Sequence, residues 1–328
     1  MATELRIGTL GAAKITPMAL TRPARNVEDV VVTAVAARDR QRAESFAKSQ
    51  GIARVYDDYA TLLADPDLNA IYNPLPNSLH AEWTLRALDA GKHVLCEKPF
   101  ASNADEAERV HQASEQSGLV VMEAFHYRYH PLVQRVRALV ASGELGSLQR
   151  VETWMCFPLP FKNDIRYQLD LAGGATMDAG CYAIHMARTI TGEEPEVLSA
   201  RPKLVSHEID GAMDADLRFP SGAEGTIHCS MWSRRIAKIA AAVILEGGEI
   251  RALNPVVPQL FHGLKWRKNG GRWTKEKFGK KPTYEYQLEA FRDAVLARKP
   301  FPTTTRDAVK NMRVIDAVYR AAGMSPRG

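Results

Sequence analysis

Two groups of residues in this chain combine side chains that can hold, donate or accept protons. The first is Glu97-Lys98-Pro99, which follows the apolar run Val94-Leu95-Cys96. A proline directly after Lys98 disfavours the helical region for that lysine, so its ammonium is held in an extended geometry where a strand ends. The second group is Asp178, Tyr182 and His185. At helical spacing these stand at i, i+4 and i+7 and share one face. A carboxylate, a phenol and an imidazole make a poor core stripe, whereas acid–base chemistry uses groups of these types. Bland readings stay open for each: a surface turn for the first group and a buried structural network for the second.

Hydrophobic spacing shows which elements must carry these groups. Leu5-Arg6-Ile7-Gly8-Thr9-Leu10-Gly11-Ala12-Ala13-Lys14-Ile15 reads as a strand, a glycine turn and a helix start. Gly8 and Gly11 would let the backbone turn and approach a ligand, and the helix N-terminus would offer N–H groups to a phosphate. The spacing departs from GxGxxG: Leu10 stands where the middle glycine would be, and Ala13 replaces the last. The next strand, Val30 to Ala36, is nearly continuous in apolar character, as a strand buried on both faces should be. It ends at Ala37-Arg38-Asp39. An acid at such a strand end grips a ribose 2′-OH, whereas an arginine accommodates a 2′-phosphate. Asp39 reads better as the N-cap of a helix over 40–50, closed by Gly51, which leaves Arg38 to meet a phosphate. NADP is therefore expected in preference to NAD. Strand and helix go on alternating: a helix over 58–64, a strand from Ala70 to Pro74, a turn through Asn77 to His80, and a helix over 81–90. The Lys98 strand follows, then a helix over 103–117 and a strand over 119–122. That alternation predicts a doubly wound parallel sheet. Ligands bind outside the carboxyl ends of such strands, where Pro74 and Lys98 lie.

Beyond Glu123 the alternation stops. The run from Glu123 through His126 and Arg128 to Pro131 leads into a helix over 132–142, and extended stretches follow over 148–157, 197–205, 214–219, 223–232 and 238–245. The stretch 223–232 alternates in polarity, as one strand of an antiparallel sheet with one covered face does. Its free face is expected to carry Met231 or Trp232 and to be an interface between copies. The cluster Lys265 to Lys281 is broken by glycine and aromatics and reads as an exposed loop. Two helices, over 284–298 and 305–322, close the chain. The boundaries that follow are 1–123 for a dinucleotide-binding domain and 124–328 for a substrate-binding and oligomerisation domain.

The 328 residues, 45% hydrophobic and 25% charged, fit an ordinary globular protein of about two domains. No run approaches the ~18 apolar residues of a membrane helix, and Met1 to Arg6 lack the pattern of a signal peptide. The net charge of +5 is spread among acids, which fits a solvated surface rather than a nucleic-acid site. Cys96, Cys156, Cys181 and Cys229 lie far apart with no CxxC. That argues against zinc or a disulfide framework and for a reducing, cytoplasmic setting.

Four motifs occur in order at suitable intervals: Gly8-Thr9-Leu10-Gly11, Pro74-Leu75-Pro76-Asn77-Ser78-Leu79-His80, Glu97-Lys98-Pro99 and Gly173-Gly174-Ala175-Thr176-Met177-Asp178-Ala179-Gly180-Cys181-Tyr182. Together they resemble the Gfo/Idh/MocA oxidoreductases across nearly the whole chain. The Asp-x-x-x-Tyr version looks most like the branch holding dimeric dihydrodiol dehydrogenase, NADP-dependent D-xylose dehydrogenase and glucose-fructose oxidoreductase. The resemblance implies an α/β fold, a Rossmann domain followed by an α+β domain with an open-faced, mainly antiparallel sheet. It implies a nicotinamide cofactor near Gly8, Leu10, Gly11, Ala13, Ile15, Arg38, Pro74, Asn77, His80, Glu97 and Lys98. It also implies that Lys98 and Tyr182 flank the substrate carbon with Asp178 as support, and that no metal takes part. His126, Arg128, Asp164, Arg166 and His185 are the candidates for holding substrate. His126 stands where the dihydrodiol enzyme has an aromatic wall, and His185 has no settled role in the family.

The expected function is hydride transfer between NADP and a secondary alcohol or lactol carbon of a sugar or cyclic diol, by a homodimer or higher homo-oligomer. Tyr182 would move the hydroxyl proton, with a nearby ammonium lowering its pKa from ~10. Asp178 would orient Lys98 or the substrate hydroxyl. Two alternatives are a non-catalytic NADP-binding regulator and a lyase or glycosidase that recycles a tightly bound cofactor.

Overall fold

A computed structural model describes residues 4–159, 164–232 and 237–328; Met1, Ala2 and Thr3 of the leader reading lie outside them. The first strand, β1 (Leu5–Leu10), is buried along almost its whole length. Beyond its glycine turn the chain stays irregular as far as a π-turn, Pro17–Thr21, that runs into the short helix α1 (Arg22–Ala24). The helix thus starts later than the glycine spacing predicts. Then come β2 (Val30–Ala36), α2 (Arg40–Gln50), β3 (Arg54–Tyr56), α3 (Tyr59–Leu63), β4 (Ala70–Asn73), α4 (His80–Asp89), β5 (His93–Cys96), α5 (Ala104–Ser117) and β6 (Val121–Glu123). The strands form one parallel sheet in the order β3-β2-β1-β4-β5-β6, the arrangement of a dinucleotide-binding fold. Local signals set the helix ends. Asp39 accepts a bond from the Arg42 N–H at 2.8 Å, Asn103 caps α5 in the same way, and Gly51 and Gly118 close α2 and α5 with φ of +74° and +64°.

The rest of the chain runs through α6 (Pro131–Ala141), β7 (Leu148–Cys156), a π-turn at Thr176–Gly180 and α7 (Cys181–Thr191). Seven strands follow: β8 (Glu196–Ser206), β9 (Ile209–Arg218), β10 (Glu224–Ser230), β11 (Lys238–Leu245), β12 (Gly248–Leu253), β13 (Gly263–Lys268) and β14 (Thr274–Glu276). They join β7 in an eight-stranded sheet of order β14-β13-β12-β11-β7-β10-β9-β8, antiparallel except between β7 and β10. The basic cluster near Lys265, expected as a loop, thus includes the two outermost strands at one edge of the sheet. Lysines suit a sheet edge, because they discourage further strand pairing. Trp273 sits beside them with the charged groups of Arg251, Lys265 and Arg267 at 5.4, 4.5 and 4.5 Å from its ring. Of the two residues expected on the free face, Met231 or Trp232, Met231 is fully buried and Trp232 is 42% exposed. The middle of the free face is instead Trp154, Ala240, Ala242 and Ile244, along a groove of about 760 Å³.

Two helices close the chain, α8 (Thr283–Ala297) and α9 (Thr305–Ala321). The chain forms two compact units, one of residues 1–126 and 284–309, the other of residues 127–283 and 310–328. The expected single boundary after residue 123 differs from this, because most of α8 returns to the first unit. His126 stacks on Tyr284 with ring centroids 3.9 Å apart, Asn26 bonds Glu285, and Thr303 accepts the Glu123 N–H. No helix among the described residues is long and apolar enough to cross a membrane.

Candidate active site

In the first unit the chemistry gathers at the carboxyl ends of β4 and β5. Glu97 is 9% exposed and accepts the Tyr72 hydroxyl at 2.8 Å. The next peptide bond, Lys98–Pro99, is cis, and Lys98 itself is half-buried. His80 lies beneath, with Nδ1 2.7 Å from the Pro99 carbonyl and Nε2 2.8 Å from the Leu75 carbonyl. The ring therefore ties the Lys98 turn to the turn after β4. A neutral imidazole donates to only one of these oxygens. Burial nevertheless pushes its pKa down to about 4, against the pull of the two carbonyls. With 1% exposure and both nitrogens engaged, His80 shapes the turns that would face a cofactor. Asn77 and Pro74 lie on the same turn, Asn77 half-buried and Pro74 buried.

The glycine turn is divided in its roles. Gly11 has φ +81°, which favours glycine, while Gly8 lies within β1. A Cβ on Gly8 would come within 2.7 Å of Leu68 and 2.9 Å of Leu62, so a side chain there would crowd the core. Leu10 is fully buried, and Ala13 and Ile15 are half-buried. Arg38 is exposed at the end of β2, and both Arg38 and Arg42 act electrostatically on the Tyr59 phenol. Burial raises that phenol and the two guanidiniums pull it back. Arg42 Nη2 also donates to the Ala12 carbonyl at 2.8 Å, within the turn. Arg42 was missed in the sequence, although its i+4 spacing from Arg38 was the available signal. Two cations beside a positive-φ glycine fit a dinucleotide that carries an extra phosphate. The buried hydroxyls of Thr9 and Thr16 add unpaired polar atoms to this same region of chain.

His126 follows β6 and is 2% exposed against Tyr284. Burial, then the Lys98 charge, pushes its pKa down to about 3, so it is a neutral wall at ordinary pH. Burial likewise raises the Tyr284 phenol, with a smaller push from Glu97. Nothing in the sequence links Tyr284 to this place, since only the return of α8 brings it there.

In the second unit, Asp178 lies in the π-turn and Tyr182 in the first turn of α7. A π-turn holds more residues per turn than an α-helix, so the i, i+4, i+7 stripe is not kept as spaced. Asp178 Oδ2 stands 3.0 Å from Arg166 Nε, and Arg166 Nη1 also reaches Asp164 at 3.0 Å. The Asp178 charge, ahead of the opposing effect of burial, holds the Arg166 pKa above its ordinary value. The carboxylate expected to orient Lys98 is thus gripped by a guanidinium of its own unit. His185 is 1% exposed, with Nδ1 2.7 Å from the Tyr127 hydroxyl. It lies buried on α7, and the Tyr127 ring lies 5.9 Å from that of Tyr182. Arg128 is 8% exposed, so its side chain is also largely internal. Asp164, Arg166 and Asp178 remain together as a polar group of this unit, and Tyr182 follows Asp178 by four residues at the start of α7.

Residues 5–125 match the oxidoreductase family with an NAD-binding Rossmann fold, and residues 133–251 match the GFO/IDH/MocA C-terminal domain. The chain is 38% identical over 322 residues, 97% of each chain, to D-xylose 1-dehydrogenase (NADP(+)) 2 of Haloferax volcanii. It is 34% identical over 206 residues, 62% of each chain, to trans-1,2-dihydrobenzene-1,2-diol dehydrogenase of Oryctolagus cuniculus. Among solved structures it resembles aldose-aldose oxidoreductase from Caulobacter crescentus complexed with glycerol, at TM-score 0.90 and 26% identity over 98% of each chain. It also resembles a 3-ketoreductase from Actinomadura kijaniata in complex with NADP and TDP-benzene, at TM-score 0.89 and 27% identity over 97% of this chain and 98% of that one. Two domain matches in the expected order, and a relative alike over nearly its full length, show that the chain belongs to the Gfo/Idh/MocA oxidoreductase family.

Proposed function

We propose that this protein is an NADP-dependent dehydrogenase that interconverts a secondary alcohol or lactol carbon of a sugar or cyclic diol with its carbonyl or lactone. The observation that carries the reading is Tyr182 at the start of α7, four residues after an Asp178 that is ion-paired with Arg166. A relative named as an NADP(+)-dependent D-xylose dehydrogenase and a diol dehydrogenase supply the substrate class. The bound nicotinamide supplies or accepts the hydride. Gly11, Arg38 and Arg42 hold the cofactor's phosphates, and Glu97 fixes the turn that carries Lys98. Tyr182 holds the proton of the reacting hydroxyl, and Lys98 contributes an ammonium to the catalytic set. Arg166 holds Asp178 in place through their 3.0 Å ion pair. We place the reaction in a homodimer that pairs the free faces of the eight-stranded sheet, and in a reducing cytoplasm that suits four free cysteines.

Reduction of NADP, followed by absorbance against a panel of aldoses, inositols and cyclic diols, tests the reading. Steady turnover is expected with at least one of them. Tyr182→Phe should then lower kcat ~10²-fold while cofactor affinity stays, the scale of one lost acid–base group. A wild-type rate in that variant removes Tyr182 from the proton path. Product formation with no net change in NADPH would favour a redox-cycling enzyme instead.

A further inference from the structure

The helix start that carries Asp178 and Tyr182 rests on a buried polar cluster with no part in the chemistry above. Asp210, in β9, is wholly buried. Its Oδ2 accepts both the backbone N–H and the hydroxyl of Thr176, each at 2.7 Å, where the π-turn begins. Its Oδ1 accepts the Tyr319 hydroxyl and Arg327 Nη2, each at 3.1 Å. Arg327 lies beyond α9, yet its side chain is only 1% exposed. Its Nε donates to the Gly173 carbonyl at 2.9 Å, and its guanidinium stacks 4.2 Å from the Tyr319 ring centre. Between them passes Gly174, with φ +129°, and a Cβ there would stand 2.2 Å from Asp210 Oδ1. The Gly174 carbonyl accepts the Asp178 N–H at 3.1 Å, and the Gly174 N–H donates to the Arg166 carbonyl at 2.8 Å. One ion pair therefore holds the backbone on which both members of the Asp178–Arg166 pair are hung.

We infer that Asp210 and Arg327 form an internal brace that sets the position of the Asp178–Tyr182 helix start, and that Arg327 is a positioning residue for the reaction. This rests on the reading of Tyr182 and Asp178 given above. A buried carboxylate needs a counter-charge and full hydrogen bonding to stay ionised, and Arg327 and Tyr319 supply them. Asp210 accepts two bonds from Thr176 at one oxygen, which fixes the first turn. A guanidinium suits the place better than an ammonium because it bonds Asp210 and Gly173 in one plane while stacking on Tyr319.

The test compares Arg327→Met, Arg327→Lys and Tyr319→Phe with Tyr182→Phe in the whole chain. Each is measured for NADP dissociation constant, kcat, KM and the pH profile of kcat, per folded molecule. Arg327→Met is expected to lower kcat ~10–100-fold, as a displacement near 1 Å does. KM and NADP affinity should stay within about twofold, and Arg327→Lys should regain part of the rate. The pH profile of kcat should shift in Arg327→Met, because a displaced Asp178 and Tyr182 titrate differently. Wild-type kcat in folded Arg327→Met overturns the inference, as does an equal loss of kcat and NADP affinity, which marks general loosening. If Arg327→Met does not fold, Arg327→Lys and Tyr319→Phe carry the test, and unchanged kcat in both overturns it. A wild-type rate in Tyr182→Phe sinks the reading of Tyr182 and leaves the result for Arg327 to be judged separately by its lysine rescue.

Discussion

Arg38 and Arg42 show how two side chains can bias a choice between cofactors. Arg38 is exposed beside the glycine turn, and Arg42 is pinned to the Ala12 carbonyl. The adjacent acid, Asp39, spends a carboxylate oxygen on the Arg42 N–H at 2.8 Å. The Asp39 carboxylate is thus turned to its own helix start, and a guanidinium suits a 2′-phosphate. Arg38→Ala should weaken NADP by ~1.5–3 kcal/mol, the range for hydrogen bonds to charged groups, and leave NAD nearly unchanged. Dissociation constants for both cofactors in wild type and variant check this, and equal losses for the two would show that Arg38 does not read the phosphate.

At the scale of elements, the π-turn at Thr176–Gly180 and the glycine pair before it decide where the second polar group stands. Gly173 is fenced by the Arg166 and Gln168 carbonyls, each 2.6 Å from where a Cβ would sit. Gly174 is worse placed for any side chain, since its φ is +129° and Asp210 fills the space. Gly174→Ala should cost roughly 3 kcal/mol or more, adding over-packing to a strained backbone. Urea midpoints of wild type and variant measure it, and a loss below ~1 kcal/mol would mean that the turn relaxes freely. The edge strands β13 and β14 show the same dependence on neighbours. Their residues lack clean alternation, yet Gly263–Lys268 pairs along its whole length with β12.

At the scale of the molecule, two consequences follow. The free sheet face places Trp154 against His228, with ring centroids 5.5 Å apart and nearly parallel planes, and sets Lys238 Nζ 3.4 Å from the Trp154 ring centre. Ile244 is 42% exposed on the same face. Light scattering at micromolar concentration should give a dimer, and Ile244→Asp should shift it toward monomer with little change in the fold. A monomeric wild type would count against the assembly. The second consequence is acid sensitivity. His126 is held near 3 in the folded state, below the ordinary 6.5. Between those values the unfolded chain binds a proton that the folded one refuses, so stability is full above pH ~6.5 and falls as pH drops. From pH ~7.5 to ~4.5 the loss from this residue should be roughly 2–3 kcal/mol. His126→Phe should lose less over the same interval in urea unfolding, and an identical loss would mean that His126 does not titrate as described.

The sequence by itself determined the features that a short stretch of chain can enforce. Asp39 and Asn103 cap their own helices, Gly51 and Gly118 end theirs at positive φ, and the apolar runs of β2, β4 and β5 need both faces covered. These rest on bonds and dihedrals within a few residues, so residue type and spacing suffice. The positions of Lys98 and Tyr182 on a strand end and a helix start were legible for the same reason. Their surroundings were not. His126 meets Tyr284, His185 meets Tyr127, Asp178 meets Arg166, and Asp210 meets Arg327. Three of these pairs join residues far apart in the chain, and burial makes each partner matter by removing the water that would otherwise serve. Asp178 meets a near neighbour, but only because the Gly173–Gly174 turn folds the chain back on itself. Only the tertiary structure could decide that a side chain on Gly8 would crowd Leu62 and Leu68, that His80 braces two turns, and that three-residue β3 belongs to the sheet, because packing and strand pairing leave no periodic mark in the residues that supply them.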